Sequence, residues 1–159
     1  KHGKLTMDNR GDYWIFNHTG CLTYITADSG KIKEFRLIPQ DKLSYIDFER
    51  YHIVHDSRGI IWISTYGNGL FAYDTAEDKL EHFLANINDK SHIASDFLLY
   101  VMEDRSGGIW VSSEYSGLSH ISVLNEGTSR IYPESPDLFD RSNTIRMLTK
   151  TSDGDIWYA

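Results

Sequence analysis

Seven histidines, one cysteine and several Asp/Gly-rich segments are the parts of this chain with the widest chemical range. His2, His18, His52, His55, His82, His92 and His120 follow no metal-binding spacing, and the chain has no HExxH motif and no EF-hand loop. His52 and His55 lie three residues apart in a stretch that reads as a strand, which sends them to opposite faces. Cys21 alone permits neither an internal disulfide nor a cysteine-based zinc site; its place suggests a small residue in a tight turn, aligned with Gly69 and Gly117. There is no G-x-S-x-G elbow and no phosphate-cradling glycine loop. Segments such as DSRG at 56–59 carry the chemistry of hairpin turns rather than of calcium loops. No catalytic residue, metal or cofactor is therefore expected. What remains is recognition. The candidate contact residues are the aromatic Tyr66 and Tyr115 and the polar Glu114, His18 and Arg141.

Those five residues matter only if the fold brings them to one surface. The organising signal is the tryptophans. Trp14, Trp62, Trp110 and Trp157 are spaced by 48, 48 and 47 residues, a period that marks a repeat architecture. Three residues before each stands a glycine: Gly11, Gly59, Gly107 and Gly154. Six residues before the first three stands an aspartate, Asp8, Asp56 and Asp104; Thr151 takes that place in the fourth. Leu22, Leu70 and Leu118 follow eight residues after.

One period reads as four short strands. In the third repeat these are 96–103, 109–113, 118–123 and 129–132, with turns at Asp104–Gly108, at 115–117 and at Asn125-Glu126-Gly127, and with Pro133 ending the last strand. A polar link over 134–143 leads to the next first strand, 144–150. Earlier first strands are expected at 4–7 and 50–55, and fourth strands at 31–36 and 79–84. The best helical candidate is a short turn near 91–95. Four antiparallel strands per period of this length make one blade of a β-propeller. The expected blades are 1–38, 45–86, 95–133 and the first half of a fourth over 143–159, about fourteen strands in all.

Each blade has two apolar faces. Along Ile61-Trp62-Ile63, the Trp points one way and the isoleucines the other. Packing one Trp between blades is worth on the order of 4–6 kcal/mol as an upper bound. Three and a half blades do not close a ring, so the chain is expected to be a piece of a larger, seven-bladed propeller or, less favourably, to pair with a second copy. The formal net charge of −7, with no Lys/Arg-rich block, argues against nucleic acid as a partner. No apolar run is long enough to span a membrane as a helix.

The run GIIWISTYGNGLFAYD at 59–74, with GGIWVSSEYSGLSHI at 107–121 and GDYWIFNHTGCLTYI at 11–25, resembles the two-component regulator propeller repeat. The lead-in SHIASDFLLYVMED at 91–104 is similar to that family's segment between blades. The resemblance implies the periplasmic sensor half of a hybrid two-component system of the Bacteroidetes type. There, two seven-bladed propellers and a β-sandwich module precede a membrane span, and a cytoplasmic histidine kinase, receiver and DNA-binding domain follow. It also implies an oligosaccharide ligand, with the remaining blades and domains of a parent chain as partners. Two other readings stand beside it. SDGDIW at 152–157 is loosely similar to the Asp-box of sialidases, which would make this part of a glycan-cleaving propeller. A protein-interaction scaffold is the other.

In a four-stranded blade, the loops between second and third strands and those entering first strands lie at one rim. Here they are 17–19, 66–68 and 114–116, with lead-ins at 44–48, 91–97 and 141–143. All five recognition candidates fall on them.

Overall fold

The computed structural model describes residues 3–45, 50–122, 127–131, 137 and 140–159. Among the described residues, fourteen strands form three four-stranded antiparallel sheets and one hairpin, each in simple sequential order. The first sheet holds β1 (Gly3–Met7), β2 (Tyr13–Asn17), β3 (Cys21–Ile25) and β4 (Ile32–Arg36). The second holds β5 (His52–His55), β6 (Ile60–Ser64), β7 (Leu70–Asp74) and β8 (Lys79–Phe83). The third holds β9 (Leu98–Glu103), β10 (Ile109–Ser113), β11 (Leu118–Ser122) and β12 (Gly127–Ile131). A last hairpin joins β13 (Leu148–Lys150) and β14 (Ile156–Tyr158). The first strands pack side by side, β1 on β5, β5 on β9 and β9 on β13. The sheets therefore stack as propeller blades, with first strands innermost.

In the first three blades an Asp closes the turn between the first and second strands. In blade 2 the Asp56 amide donates to the Ile60 carbonyl at 2.9 Å, and Gly59 N–H donates to Asp56 O at 3.2 Å. This is a three-residue hairpin whose last position needs the left-handed region, and Gly59 sits there with φ 92°. Gly11, Gly107 and Gly154 have φ of 85°, 82° and 99° at the same place. The Asp56 carboxylate is then fully used. Its Oδ1 accepts the Arg58 and Ile60 amides, both at 2.9 Å, and its Oδ2 accepts the Trp62 indole N–H at 2.9 Å. The Asp8–Trp14 and Asp104–Trp110 bonds repeat this at 3.1 and 2.7 Å. In the fourth repeat Thr151 keeps the backbone bonds of the turn, and its hydroxyl accepts the Asp155 amide at 3.2 Å.

The indole, tethered at its polar end, lays its rings on the following blade. Trp14 packs with Ile61, Ile63 and Tyr73 of blade 2, and Trp62 with Val101, Val111 and Ile121 of blade 3. Ile61 and Ile63 belong to the opposite interface, as the alternation requires. Burial of the tryptophans falls along the chain. Trp14 and Trp62 are 2% and 3% exposed, Trp110 is half-buried against Leu148 and Ile156, and Trp157 is 62% exposed. Trp157 lies on the last described hairpin. No described sheet covers its face, and the aspartate that would anchor it is Thr151.

Three smaller expectations also change. Residues 91–95 form no helical turn; the short 3-10 helices are at Gln40–Tyr45 and Arg141–Asn143. The left-handed residue of the first β2–β3 turn is Gly20, with φ 74°, whereas Cys21 is a buried β3 residue. The first strand of blade 2 starts at His52 rather than Arg50, and that of the last hairpin at Leu148 rather than Thr144. The expected turn residues Asn125 and Glu126, the strand ends Val123 and Tyr132, and Pro133 with most of the link after it lie outside the described residues.

Two outcomes follow for stability. Trp62→Ala should cost about 3–5 kcal/mol in urea unfolding and Trp157→Ala less than about 1, because only the first empties a packed interface. Burial pushes the Asp104 carboxyl up, but hydrogen bonds from Ser106, Trp110 and Gly108 outweigh it and bring the pKa to about 2. A depressed carboxylate stabilises above its ordinary value of 3.8, and that contribution is lost as pH falls from there through about 2. The stability gap between wild type and Asp104→Asn, about 2 kcal/mol at neutral pH, should therefore shrink between about pH 4 and about pH 2.

Candidate functional site

Backbone hydrogen bonds tie the turn between the second and third strands of a blade (β6–β7 in blade 2, β10–β11 in blade 3) to the segment entering the next. In blade 2, Gly67 N–H and Gly69 N–H both donate to Asp96 O, at 2.9 and 3.1 Å, and Leu98 N–H donates to Thr65 O at 3.0 Å. In blade 3, Gly117 N–H donates to Asn143 O at 3.2 Å and Ile145 N–H to Ser113 O at 3.2 Å. These bonds place the turns and the lead-ins at one rim, as expected. Residues 46–48 of the lead-in to blade 2 lie outside the described residues.

At the seam between blades 2 and 3 this rim carries a joined cluster. Tyr66 pairs with Phe97 in an isolated bridge, and their rings meet edge-on with centroids 5.2 Å apart. The Arg50 guanidinium lies over the Tyr66 ring, 4.8 Å from its centroid. The same guanidinium donates to Glu114 Oε1 at 3.1 Å, from blade 2 across to blade 3. Glu114 is held at both backbone ends: its amide donates to Phe97 O at 3.1 Å and its carbonyl accepts the Thr144 hydroxyl. The Glu114 side chain is only 10% exposed, and its Oε2 is buried with no hydrogen-bond donor among the described residues. A buried carboxylate with one oxygen ion-paired and the other open is a strong acceptor. Phe97 is 47% exposed, and Tyr66 and Tyr115 are half-buried, so the cluster presents aromatic surface beside charge.

Of the five residues proposed from sequence, Tyr66 and Glu114 are thus brought together, and Tyr115 follows Glu114 in the same turn. His18 stands in the blade 1 turn and Arg141 begins the 3-10 lead-in to the last hairpin, each at the same rim to one side of the seam. Two residues of the cluster were not singled out. Arg50 reads as a strand residue in the sequence, but the strand starts two residues later and leaves it on the rim. Phe97 lies inside a flagged lead-in, where its large apolar side chain in a polar loop was the available signal. Below the rim, on the inner strands, His52 stacks on Tyr100 with centroids 3.9 Å apart. Burial, and then the nearby Lys4 charge, push its imidazole pKa down, which keeps this part of the seam neutral. The described residues hold no cluster of three or more metal-ligating side chains.

No family model and no curated protein matches this chain. Among solved structures it is similar to the extracellular domain assigned to a hybrid two-component system of B. thetaiotaomicron. The TM-score is 0.73 at 17% identity, over 98% of this chain and 21% of that one. It is equally similar to virginiamycin B lyase of Staphylococcus aureus, with TM-score 0.73 at 20% identity over 99% of this chain and 48% of the lyase. PorZ of Porphyromonas gingivalis, a surface component of the type-IX secretion system, gives TM-score 0.67 at 13% identity over 98% of this chain and 24% of that one. The chain spans about a fifth to a half of the length of these proteins. At such identities the likeness establishes the propeller fold.

The ion pair gives a direct prediction. Arg50→Ala should cost about 2–4 kcal/mol, because it leaves the Glu114 carboxylate buried without its cation, and Glu114→Gln in that background should recover most of the loss. Chemical unfolding of the two single variants and the double variant measures it.

Proposed function

We propose that this chain is a non-catalytic, ligand-sensing segment of a β-propeller, belonging to the periplasmic part of a hybrid two-component sensor and responding to an oligosaccharide. The observation that carries the reading is the rim cluster at the seam of blades 2 and 3. Tyr66, Phe97 and Tyr115 offer ring faces of the kind that stack on the apolar faces of sugars. Arg50 and Glu114 stand beside them as donor and acceptor for hydroxyls, and His18 and Arg141 extend the polar rim to either side. Glu114 is locked to Arg50, which suits it to hold a hydroxyl rather than to shuttle a proton. The likeness to an extracellular domain assigned to a hybrid two-component system supports the placement.

A ligand bound at such a seam touches two blades at once, and so is sensitive to their relative position. That is the property a sensor needs, because a ligand shifts an equilibrium only through different contacts in two states. The proposed partners are those that would cover the end faces of the stack. Leu5 and Tyr13 are exposed on blade 1, at places equivalent to the buried Ile53 and Ile61 of blade 2, and Met7 is exposed beside them; Met147 and Trp157 are exposed at the other end. Further blades of a longer chain are the occupants that fit both faces, with a second copy as the alternative.

Calorimetric titration with a panel of plant and host oligosaccharides tests the reading. Tyr66→Ala and Tyr115→Ala should each weaken the binding oligosaccharide by about tenfold while leaving the folded state intact. Unchanged affinity in both variants, or release of cleaved sugar by the chain alone, would overturn it; the second result would favour the enzymatic reading that the lyase neighbour keeps open.

A further inference from the structure

The outer gaps between blades are not filled alike. Between blades 1 and 2 four aromatic rings close the gap. Trp14 and Tyr24 have centroids 4.4 Å apart, Trp14 and Tyr73 5.5 Å, and Phe35 and Tyr73 4.8 Å. The two tyrosine hydroxyls are anchored as well, Tyr24 to Asp12 and Tyr73 to Asp78. Strand register identifies the equivalents at the next gap. Trp14 pairs with Tyr24 and Trp62 with Ala72; Leu22 pairs with Phe35 and Leu70 with Phe83; Ile61 pairs with Tyr73 and Ile109 with Ile121. The Trp and the Phe are kept. Both tyrosines are gone, replaced by Ala72 and Ile121.

A cavity of about 920 Å³ opens where they are missing. Its floor is Trp62, Ala72, Ile93 and Ile121, and the Phe83 ring lies nearly parallel to Trp62 with centroids 6.0 Å apart. The size and apolar lining are those of a small-molecule site. Its walls are held in place. Trp62 is fixed by Asp56, and Ile93 sits in a link whose carbonyls are gathered by one guanidinium: Arg130 donates to His92 O at 3.1 Å, Asn86 O at 2.7 Å, Asp89 O at 2.7 Å and Ile93 O at 3.2 Å. The mouth is acidic. Asp74, Glu77, Asp78 and Glu81 line it against the single lysine Lys79. Asp78 is paired with Lys33 at 3.2 Å and Glu81 with Lys79 at 2.6 Å, while Asp74 Oδ1 accepts the Ala76 and Glu77 amides; the Lys79 charge also reaches Asp74 and Glu77, so the four carboxylates at the mouth face two lysines and leave it net negative.

The geometry points to a second ligand site here, distinct from the rim: a pocket between blades 2 and 3 for a small amphiphilic amine, its aryl or alkyl body against Trp62 and Phe83 and its cationic end at Asp74 and Glu77. An apolar wall selects the body, and the unbalanced carboxylates select the sign of the charge. The site stands on its own geometry, so it holds whether or not the rim binds sugar.

Titration of the chain with phenylbutylamine and with phenylbutyrate tests it, since the two share a body and differ in charge. The amine should bind at least about tenfold more tightly than the acid. Ala72→Tyr, which restores the ring of the first gap, should weaken the amine by about tenfold or more while raising thermal stability. Glu77→Lys changes only an exposed side chain and should weaken the amine by about three- to fivefold without affecting the fold. Absence of amine binding, equal binding of amine and acid, or an affinity that both variants leave unchanged would overturn the proposal.

Discussion

The structure depends on a buried carboxylate whose acceptor capacity is spent in a fixed way. In three of the repeats one oxygen of an aspartate closes the turn between first and second strands, and the other holds the indole N–H of a tryptophan six residues later. Burying a carboxylate is costly unless its oxygens are occupied, and here they are occupied by the groups that define the blade. The turn sets the strand register, the register sets which face the tryptophan occupies, and the tether sets how its rings meet the next blade. In the fourth repeat a threonine stands in the aspartate's place and its hydroxyl accepts the Asp155 amide.

That arrangement makes each seam between blades a separate surface that can vary while the frame is conserved. The seam of blades 1 and 2 is closed by aromatic rings. The seam of blades 2 and 3 differs at both of its ends. At the rim it carries an ion pair between blades under an aromatic cover, and at its outer end it carries a cavity where two tyrosines are missing. Specialisation of one seam leaves the others free to carry stability.

The repeat, the strand order and the sidedness of Ile61-Trp62-Ile63 were legible in the sequence, because period and alternation are properties of the chain itself. The role of Asp8, Asp56 and Asp104 was legible only by half. Their spacing marked the turn, but the bond to the indole requires the hairpin to fold the tryptophan back above it. Arg50 was hidden by a strand boundary off by two residues, and its pairing with Glu114 spans 64 positions, which no local pattern encodes. The cavity was hidden for a different reason. Ala72 and Ile121 are ordinary strand residues, and only superposing the repeats in register shows that each stands where another blade has a tyrosine.

The claim that the carboxylate–indole bond governs the packing of blades is tested most directly by a double-mutant cycle on Asp56 and Trp62. Unfolding free energies of Asp56→Ala, Trp62→Phe and the double variant isolate the pairwise term. The account predicts a coupling of about 1–3 kcal/mol, because either change alone already forfeits the shared bond. Strict additivity, with the two losses simply summing, would contradict it and would mean that turn and tryptophan act independently.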